Sequence, residues 1–181
     1  MIFFIQAGFR RCALVLIAAA LLATPLRANA ADYPWLTGEQ MAQLRALPIP
    51  VLLPAYVPPG YRLVKFEAVR DIVRNGQHSA PANEYLFRFR GPSGEFTISV
   101  ADGGFGDSEP DYSSFRRPFT VDSPVVGRAK FEPDNINGVW TWVALFIPLK
   151  RLGSDKAQLI VTGSDKSDIA RVYASLKPLA R

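Results

Sequence analysis

Residues 83–104 read NEYLFRFRGPSGEFTISVADGG, and this stretch decides the class of the fold. Apolar and polar residues alternate in both halves, which is the period of a β-strand with one buried face. The central GPSG has the glycine and proline typical of a tight turn. The stretch predicts a β-hairpin with Arg88 and Arg90 on the outer face. Its inner face would carry Tyr85, Phe87, Phe89, Phe96, Ile98 and Val100.

The preceding segment, residues 48–64, reads PIPVLLPAYVPPGYRLV. Its prolines exclude a helix and favour extended backbone, whereas its aliphatic and aromatic residues favour burial. We interpret it as a rigid entry into a strand that carries Val64, Phe66 and Ala68 on one face. A proline-rich recognition segment is the alternative.

A short helix is predicted on each side of the strands. Thr37 and Gln40 fit a capping box, Pro48 ends the first helix, and Asp165 fits the N-cap of the second. Apolar stripes at helical spacing should pack the first helix on the domain or on a partner, and the second helix on the sheet. The stripe residues are Met41, Leu44 and Leu47, then Ile169, Val172, Tyr173 and Leu176.

The order of helix, extended entry, about six strands and helix predicts an α+β domain with an antiparallel sheet, because the strand connections are short. We assign residues 1–30 to a signal peptide, 31–47 to an N-terminal helical segment and 48–181 to a single domain. About 150 residues after the signal suffice for one core without disulfides.

Residues 137–149, NGVWTWVALFIPL, form the most apolar stretch after the N-terminus. Strand alternation predicts Trp140, Trp142 and Phe146 on one face. The opposite face would carry Val139, Val143, Leu145 and Ile147. A strand that is apolar on both faces is usually central in a sheet. The tryptophan face is therefore either core or the lining of a ligand groove or protein interface.

The N-terminus has the pattern of a secretory signal. Arg10 and Arg11 precede an apolar stretch from Cys12 to Ala23, and a small-residue motif ends at Ala30. This pattern predicts cleavage after Ala30 and a periplasmic or secreted protein that is soluble after cleavage. The apolar stretch is short for a membrane span, which needs about 20 residues. An uncleaved anchor is the alternative.

The charge of the mature chain is smaller than that of the whole. The sequence has 21 Lys and Arg against 16 Asp and Glu, a net charge of +5. Three of the arginines lie before residue 31, so the mature chain carries 18 basic and 16 acidic residues and a net charge of +2. Its basic residues are dispersed, which disfavours a nucleic-acid partner.

The usual catalytic constellations are missing from the sequence. Cys12 is the single cysteine and leaves with the signal, and His78 is the single histidine, in a turn-rich loop. A histidine-based triad or a multi-histidine metal site therefore has one candidate residue. No phosphate loop or dinucleotide fingerprint occurs. We expect no enzyme activity, no cofactor and no metal.

The loop of residues 102–118, DGGFGDSEPDYSSFRRP, is a candidate contact region. Its acids lack the register of a calcium loop. Its aromatic and basic residues suit a lid or a protein-contact tip, although the aromatics could instead tuck under the loop as a satellite core. With the two tryptophans, the candidate binding residues are Phe105, Tyr112, Phe115, Arg116, Arg117, Trp140 and Trp142.

Five stretches carry a family resemblance: LPAYVPPGYRL, EYLFRF, FTISVADGG, INGVWTW and QLIVTGSDKSDIARVYASL. Together they resemble an exported bacterial family of domains of unknown function that covers residues 48–178 here. Its members occur as secreted proteins, in lipoproteins and on anti-sigma-factor-like proteins. The resemblance implies a curved antiparallel sheet with helices and supplies no catalytic residues.

Three functions follow as hypotheses. The first is a non-enzymatic periplasmic binding or sensing module for an apolar ligand or an envelope protein. The second is a structural or assembly accessory that acts only through protein contact. The third is a hydrolase with an unrecognised pair of carboxylates, for which the sequence offers only scattered acids.

Overall fold

The computed structural model describes residues 32–72, 82–103, 116–136 and 138–180. Two α-helices and nine β-strands are present in these ranges. The helices are α1 (Gly38–Ala46) and α2 (Lys166–Ala174), and a 3-10 turn spans Lys150–Leu152. The strands are β1 (Leu52–Pro54), β2 (Arg62–Ile72), β3 (Ala82–Gly91), β4 (Gly94–Ala101), β5 (Phe119–Ser123), β6 (Gly127–Ile136), β7 (Val139–Pro148), β8 (Gln158–Gly163) and β9 (Leu176–Pro178).

Seven strands form one sheet in the order β2-β3-β4-β8-β7-β6-β5, and every neighbouring pair is antiparallel. The α+β class, with a helix near each end of the described chain, is confirmed. β8 lies between β4 and β7, so it joins two units of three consecutive strands. The sequence predicted about six strands, and the structure has nine in the described ranges. The short strands β1 and β9 form a sheet of their own.

The hairpin of β3 and β4 is confirmed and supplies the centre of the core. Gly91 pairs with Gly94 at its turn, and Phe89 stacks on Phe96 with ring centroids 4.6 Å apart. The core-facing side chains of both strands are almost entirely buried. They are the six predicted ones: Tyr85, Phe87, Phe89, Phe96, Ile98 and Val100.

Both helix caps are confirmed. Thr37 and Gln40 exchange hydrogen bonds with each other's backbone N–H groups, at 3.1 and 2.9 Å. The Asp165 carboxylate accepts from the N–H of Asp168 at 2.8 Å. All seven stripe residues are buried, although Leu176 already belongs to β9: Met41, Leu44, Leu47, Ile169, Val172, Tyr173 and Leu176.

The proline-rich entry is itself part of the core. Leu52 and Leu53 are fully buried, and Leu52 donates its N–H to the Tyr85 hydroxyl at 2.8 Å. β1 pairs with β9, and Leu179 donates its N–H to the Val51 carbonyl at 2.8 Å. The proline-rich segment therefore pairs with the C-terminal residues of the chain.

Two register shifts correct the predicted faces. A shift between Leu63 and Lys65 leaves Val64 41% exposed, whereas Phe66 and Ala68 pack against the core. The expectation that the three residues share one face is therefore wrong. A second shift lies in β7, between Ala144 and Ile147.

The shift in β7 exchanges two side chains between faces. Phe146 has a φ of 53°, a left-handed conformation that bulky residues rarely adopt. Ile147 therefore continues the core face of Trp142 and Ala144. The prediction of Phe146 on the tryptophan face and Ile147 on the other is wrong, because strand alternation holds only where the ladder is regular.

Candidate ligand-binding groove

Among the described residues, the large sheet is covered on one face and left open on the other. The helices and β1 pack on the face that carries the aromatic core. On the opposite face, alternate residues of β3, β4 and β8 are only partly buried, including Arg88, Thr97 and Thr162. The burial patterns follow the two-residue period of these strands. The open face is thus built mostly of polar side chains on rigid strands.

A groove of about 510 Å³ lies on this open face. Its volume falls within the range of roughly 300–1,000 Å³ that is typical of small-molecule sites. Residues of β3, β4, β6, β7 and β8 and of the segment after β8 line it. They are Arg88, Gly94, Glu95, Thr97, Ile136, Val139, Thr141, Thr162 and Ser164.

Antiparallel register brings the polar lining into one row across the sheet. Arg88 lies opposite Thr97, Thr97 opposite Thr162, and Thr162 opposite Val143. Directly opposed residues have Cβ atoms about 5 Å apart, so their side chains are neighbours. The row therefore places a guanidinium beside two hydroxyl groups.

The Arg88 guanidinium lacks a partner in the described part of the chain. Its Nε is buried and makes no hydrogen bond there. The nearby acids are held by other cations: Glu95 by Arg90 at 2.5 Å, and Glu67 by Lys65 at 2.8 Å. A buried donor that loses water without gaining an acceptor costs about 1–3 kcal/mol. Arg88 thus lines the groove with a buried Nε donor that no described residue satisfies.

The far end of the groove is apolar. Ile136 and Val139 are paired across the turn between β6 and β7 and are 42% and 56% exposed. Gly138 occupies the turn with a φ of 82°, which glycine adopts without strain. The groove thus joins a cationic end to an exposed aliphatic end.

The two tryptophans named as candidate binding residues, Trp140 and Trp142, lie on the covered side of the sheet. Trp142 is 7% exposed and packs edge-on against Phe119, with ring centroids 5.0 Å apart. The Lys166 ammonium lies 5.7 Å from the centroid of the Trp142 ring. Trp142 therefore packs near the start of α2 and against β5, as a core residue.

Trp140 is half-buried and contacts one predicted arginine. The Arg116 guanidinium carbon lies 5.6 Å from the centroid of its ring, within range of a cation–π interaction. Arg117 is exposed. The structure thus brings Arg116 and Trp140 together. The remaining predicted residues, Phe105, Tyr112 and Phe115, lie outside the described residues, as does His78.

Sequence reasoning missed the groove although part of its signal was present. Alternation placed Arg88 on the face opposite the phenylalanines, and the same parity applies to Thr97. The position of Thr162 beside Thr97 depends on β8 lying next to β4, a long-range pairing that no local pattern encodes.

The groove lining supplies one guanidinium, one carboxylate and four hydroxyl groups, those of Thr97, Thr141, Thr162 and Ser164. Across residues 32–72, 82–103, 116–136 and 138–180, no three His, Cys, Asp or Glu side chains are grouped to hold a metal. Neither described helix is long and apolar enough to cross a membrane. No protein-family model, no curated protein and no solved structure matches the chain.

Proposed function

We propose that this protein is a non-enzymatic binding or sensing module, exported to the periplasm or secreted, that acts on an apolar ligand or an envelope protein. The observation that carries the proposal is the open sheet face with its groove of about 510 Å³. Convergent polar groups beside exposed aliphatic side chains, on a rigid sheet, are typical of a binding site.

Two features of the sequence support the export and the class of function. The N-terminal 30 residues have the charged, apolar and small-residue regions of a secretory signal. The resemblance of residues 48–178 to an exported domain family supports the same compartment. Membership of that family is part of the proposal.

The test is native mass spectrometry of the protein purified gently from its own periplasm. We expect extra mass of lipid or small-molecule size, or a complex with an envelope protein. N-terminal sequencing of the same sample should begin at Ala31. A bare monomer with no bound species would count against a binding module, and an intact Met1 would count against cleavage.

The alternative is an assembly accessory that acts only through protein contact, and one observation favours it. β2 is an edge strand of eleven residues, and Val64 and Val69 are 41% and 40% exposed on it. An exposed edge can pair with a strand of a partner. Its register shifts and charged residues oppose such pairing.

Site-specific photo-cross-linking distinguishes the two surfaces. A photoreactive residue replaces Val139 in the groove, Val69 on the edge strand, or exposed Lys177 on β9 as the control. Cross-links from position 139 alone would support the groove. Cross-links to a protein from position 69 alone, with no small ligand in the mass spectrum, would support the accessory function.

A further inference from the structure

We infer that the groove recognises an anionic oxygen group, a carboxylate or a phosphate, that is attached to a short apolar chain. The inference rests on the proposed binding function and specifies the chemistry of its ligand.

Arg88 supplies a cation to the groove. Arg88 stands in the middle of β3, flanked by Lys65 on β2 and Thr97 on β4. Its Nε is buried without an acceptor among the described residues. An oxyanion in the groove would supply that acceptor, and a planar guanidinium can bind carboxylate or phosphate through two parallel hydrogen bonds.

Acids around the groove are paired with other cations. Glu95, the one acid among the lining residues, is bound to Arg90. Glu132, opposite Val143 on the neighbouring strand, is bound to Lys130. Glu67 on β2 and Glu95 on β4, the strands beside β3, are paired with Lys65 and Arg90. Neither of these acids neutralises Arg88, so an incoming anion meets the positive charge of its guanidinium.

Two threonine hydroxyls in the groove can supply additional hydrogen-bond donors. The hydroxyls of Thr97 and Thr162 are cross-strand neighbours and make no hydrogen bond to any described residue. The hydroxyls of Thr141 and Ser164 are occupied by the carbonyls of Val139 and Glu95. Thr97 and Thr162 can therefore donate to the oxygens of a ligand held by Arg88.

Two exposed aliphatic side chains of the groove can contact the apolar part of the ligand. Val139 lies four residues along β7 from Val143, about 13 Å at the usual rise of a strand. Ile136 and Val139 thus form an exposed aliphatic surface beyond the polar row. Arg88 lies three strands from Val143 in the same row, about 14 Å at the usual strand spacing. A ligand with its anion on Arg88 would therefore direct its alkyl chain past Thr97 and Thr162 toward that surface.

The test uses four probes with the same eight-carbon chain: octanoate, octyl phosphate, octanol and octylammonium. Each is titrated into the isotope-labelled exported chain while amide NMR shifts are followed. We expect the anionic probes to shift the amides of Thr97, Thr141 and Thr162. Their Kd should be about tenfold or more below that of octanol, from charge-assisted hydrogen bonds. Comparison of octanoate with octyl phosphate identifies the preferred anion.

Matched variants assign the preference to one side chain. Arg88→Gln should abolish the difference between octanoate and octanol, and Arg88→Lys should retain part of it. Lys177→Gln removes the same charge from β9, outside the groove lining, and should leave the preference unchanged. Unaltered amide shifts in β6 and α2 would show that Arg88→Gln is folded.

The outcomes separate the inference from the proposed function. Equal affinity for octanoate, octanol and octylammonium would overturn the anionic specificity and leave a binding groove. A preference for anions that survives Arg88→Gln would overturn the role of Arg88. Absence of groove shifts with every probe would overturn the inference. A bare monomer from the periplasm would in addition contradict the proposed function.

Discussion

Two buried tyrosines connect distant parts of the chain through single hydrogen bonds. Tyr85 accepts from the N–H of Leu52 at 2.8 Å, and Tyr173 donates to the Gly127 carbonyl at 3.0 Å. Burial raises the pKa of both phenols, and for Tyr173 to about 12, where Asp122 adds to the rise and Arg151 opposes it. Both hydroxyls therefore stay protonated in the folded protein at alkaline pH.

We predict that the free energy of unfolding falls as the pH rises above about 10. A phenol in the unfolded chain loses its proton near that pH, whereas the folded Tyr173 holds it until about 12. The stabilisation is fully present below pH 10 and is lost as the pH rises through the folded pKa. In this window each tyrosine should lower the free energy of unfolding by about 1.4 kcal/mol per pH unit. Urea unfolding at a series of pH values measures the slope.

The variant Tyr173→Phe measures how much of this fall in the free energy of unfolding is due to Tyr173. It should flatten the alkaline decline, because one titrating group is gone. It should also lower stability at neutral pH by about 1 kcal/mol, because the Gly127 carbonyl loses its donor. A decline as steep as that of the wild type would contradict the assignment.

At the scale of elements, α2 packs closely against the sheet at Gly163, the last residue of β8. A Cβ built at this position would lie 2.8 Å from the Cβ of Ile169, which is fully buried in α2. We predict that Gly163→Ala destabilises the protein by about 1–3 kcal/mol, because helix or strand must shift to relieve the contact. The midpoint of urea unfolding measures the change.

Gly38→Ala is the matched control for this substitution. Gly38 begins α1, and a Cβ there would meet no atom within 4 Å. The change should be neutral or stabilising by up to about 1 kcal/mol, since alanine favours helix. Equal losses of stability at both positions would contradict the packing argument.

The elements also show which features local sequence can predict. The hairpin around Gly91 and Gly94 and the cap at Asp165 depend on residues close in the chain, and both are confirmed. Strand alternation did not predict the break in the pattern at Phe146, because a positive φ at a bulky residue is imposed by its surroundings. The groove was missed because its row of side chains depends on strand order.

At the scale of the whole molecule, the C-terminal residues hold the proline-rich segment in place. Leu176 and Leu179 are buried, and β9 is the strand that pairs with β1. We predict that deletion of residues 175–181 lowers the free energy of unfolding by several kcal/mol, at about 1.5–3 kcal/mol for each buried leucine. Thermal and urea unfolding of the shortened chain measure the loss.

Lys177→Ser provides the control within the same strand. Lys177 is exposed on β9, so its replacement should change stability by no more than about 0.5 kcal/mol. Hydrogen exchange adds a local test: the amide of Leu53 should lose protection in the shortened chain and keep it in Lys177→Ser. Unchanged protection in the shortened chain would show that β1 stays ordered without β9.

The place of β8 between β4 and β7 constrains the order in which a newly synthesised chain can assemble. Strands β2 to β4 emerge first and can pair among themselves, and β5 to β7 can do the same. The two units meet only when β8 emerges. At ordinary synthesis rates, β8 is completed about a second after β7 but several seconds after β4. One edge of β4 therefore stays unpaired for longer. An open edge invites incorrect pairing. The edge of β4 is therefore the surface on which a growing chain most needs protection.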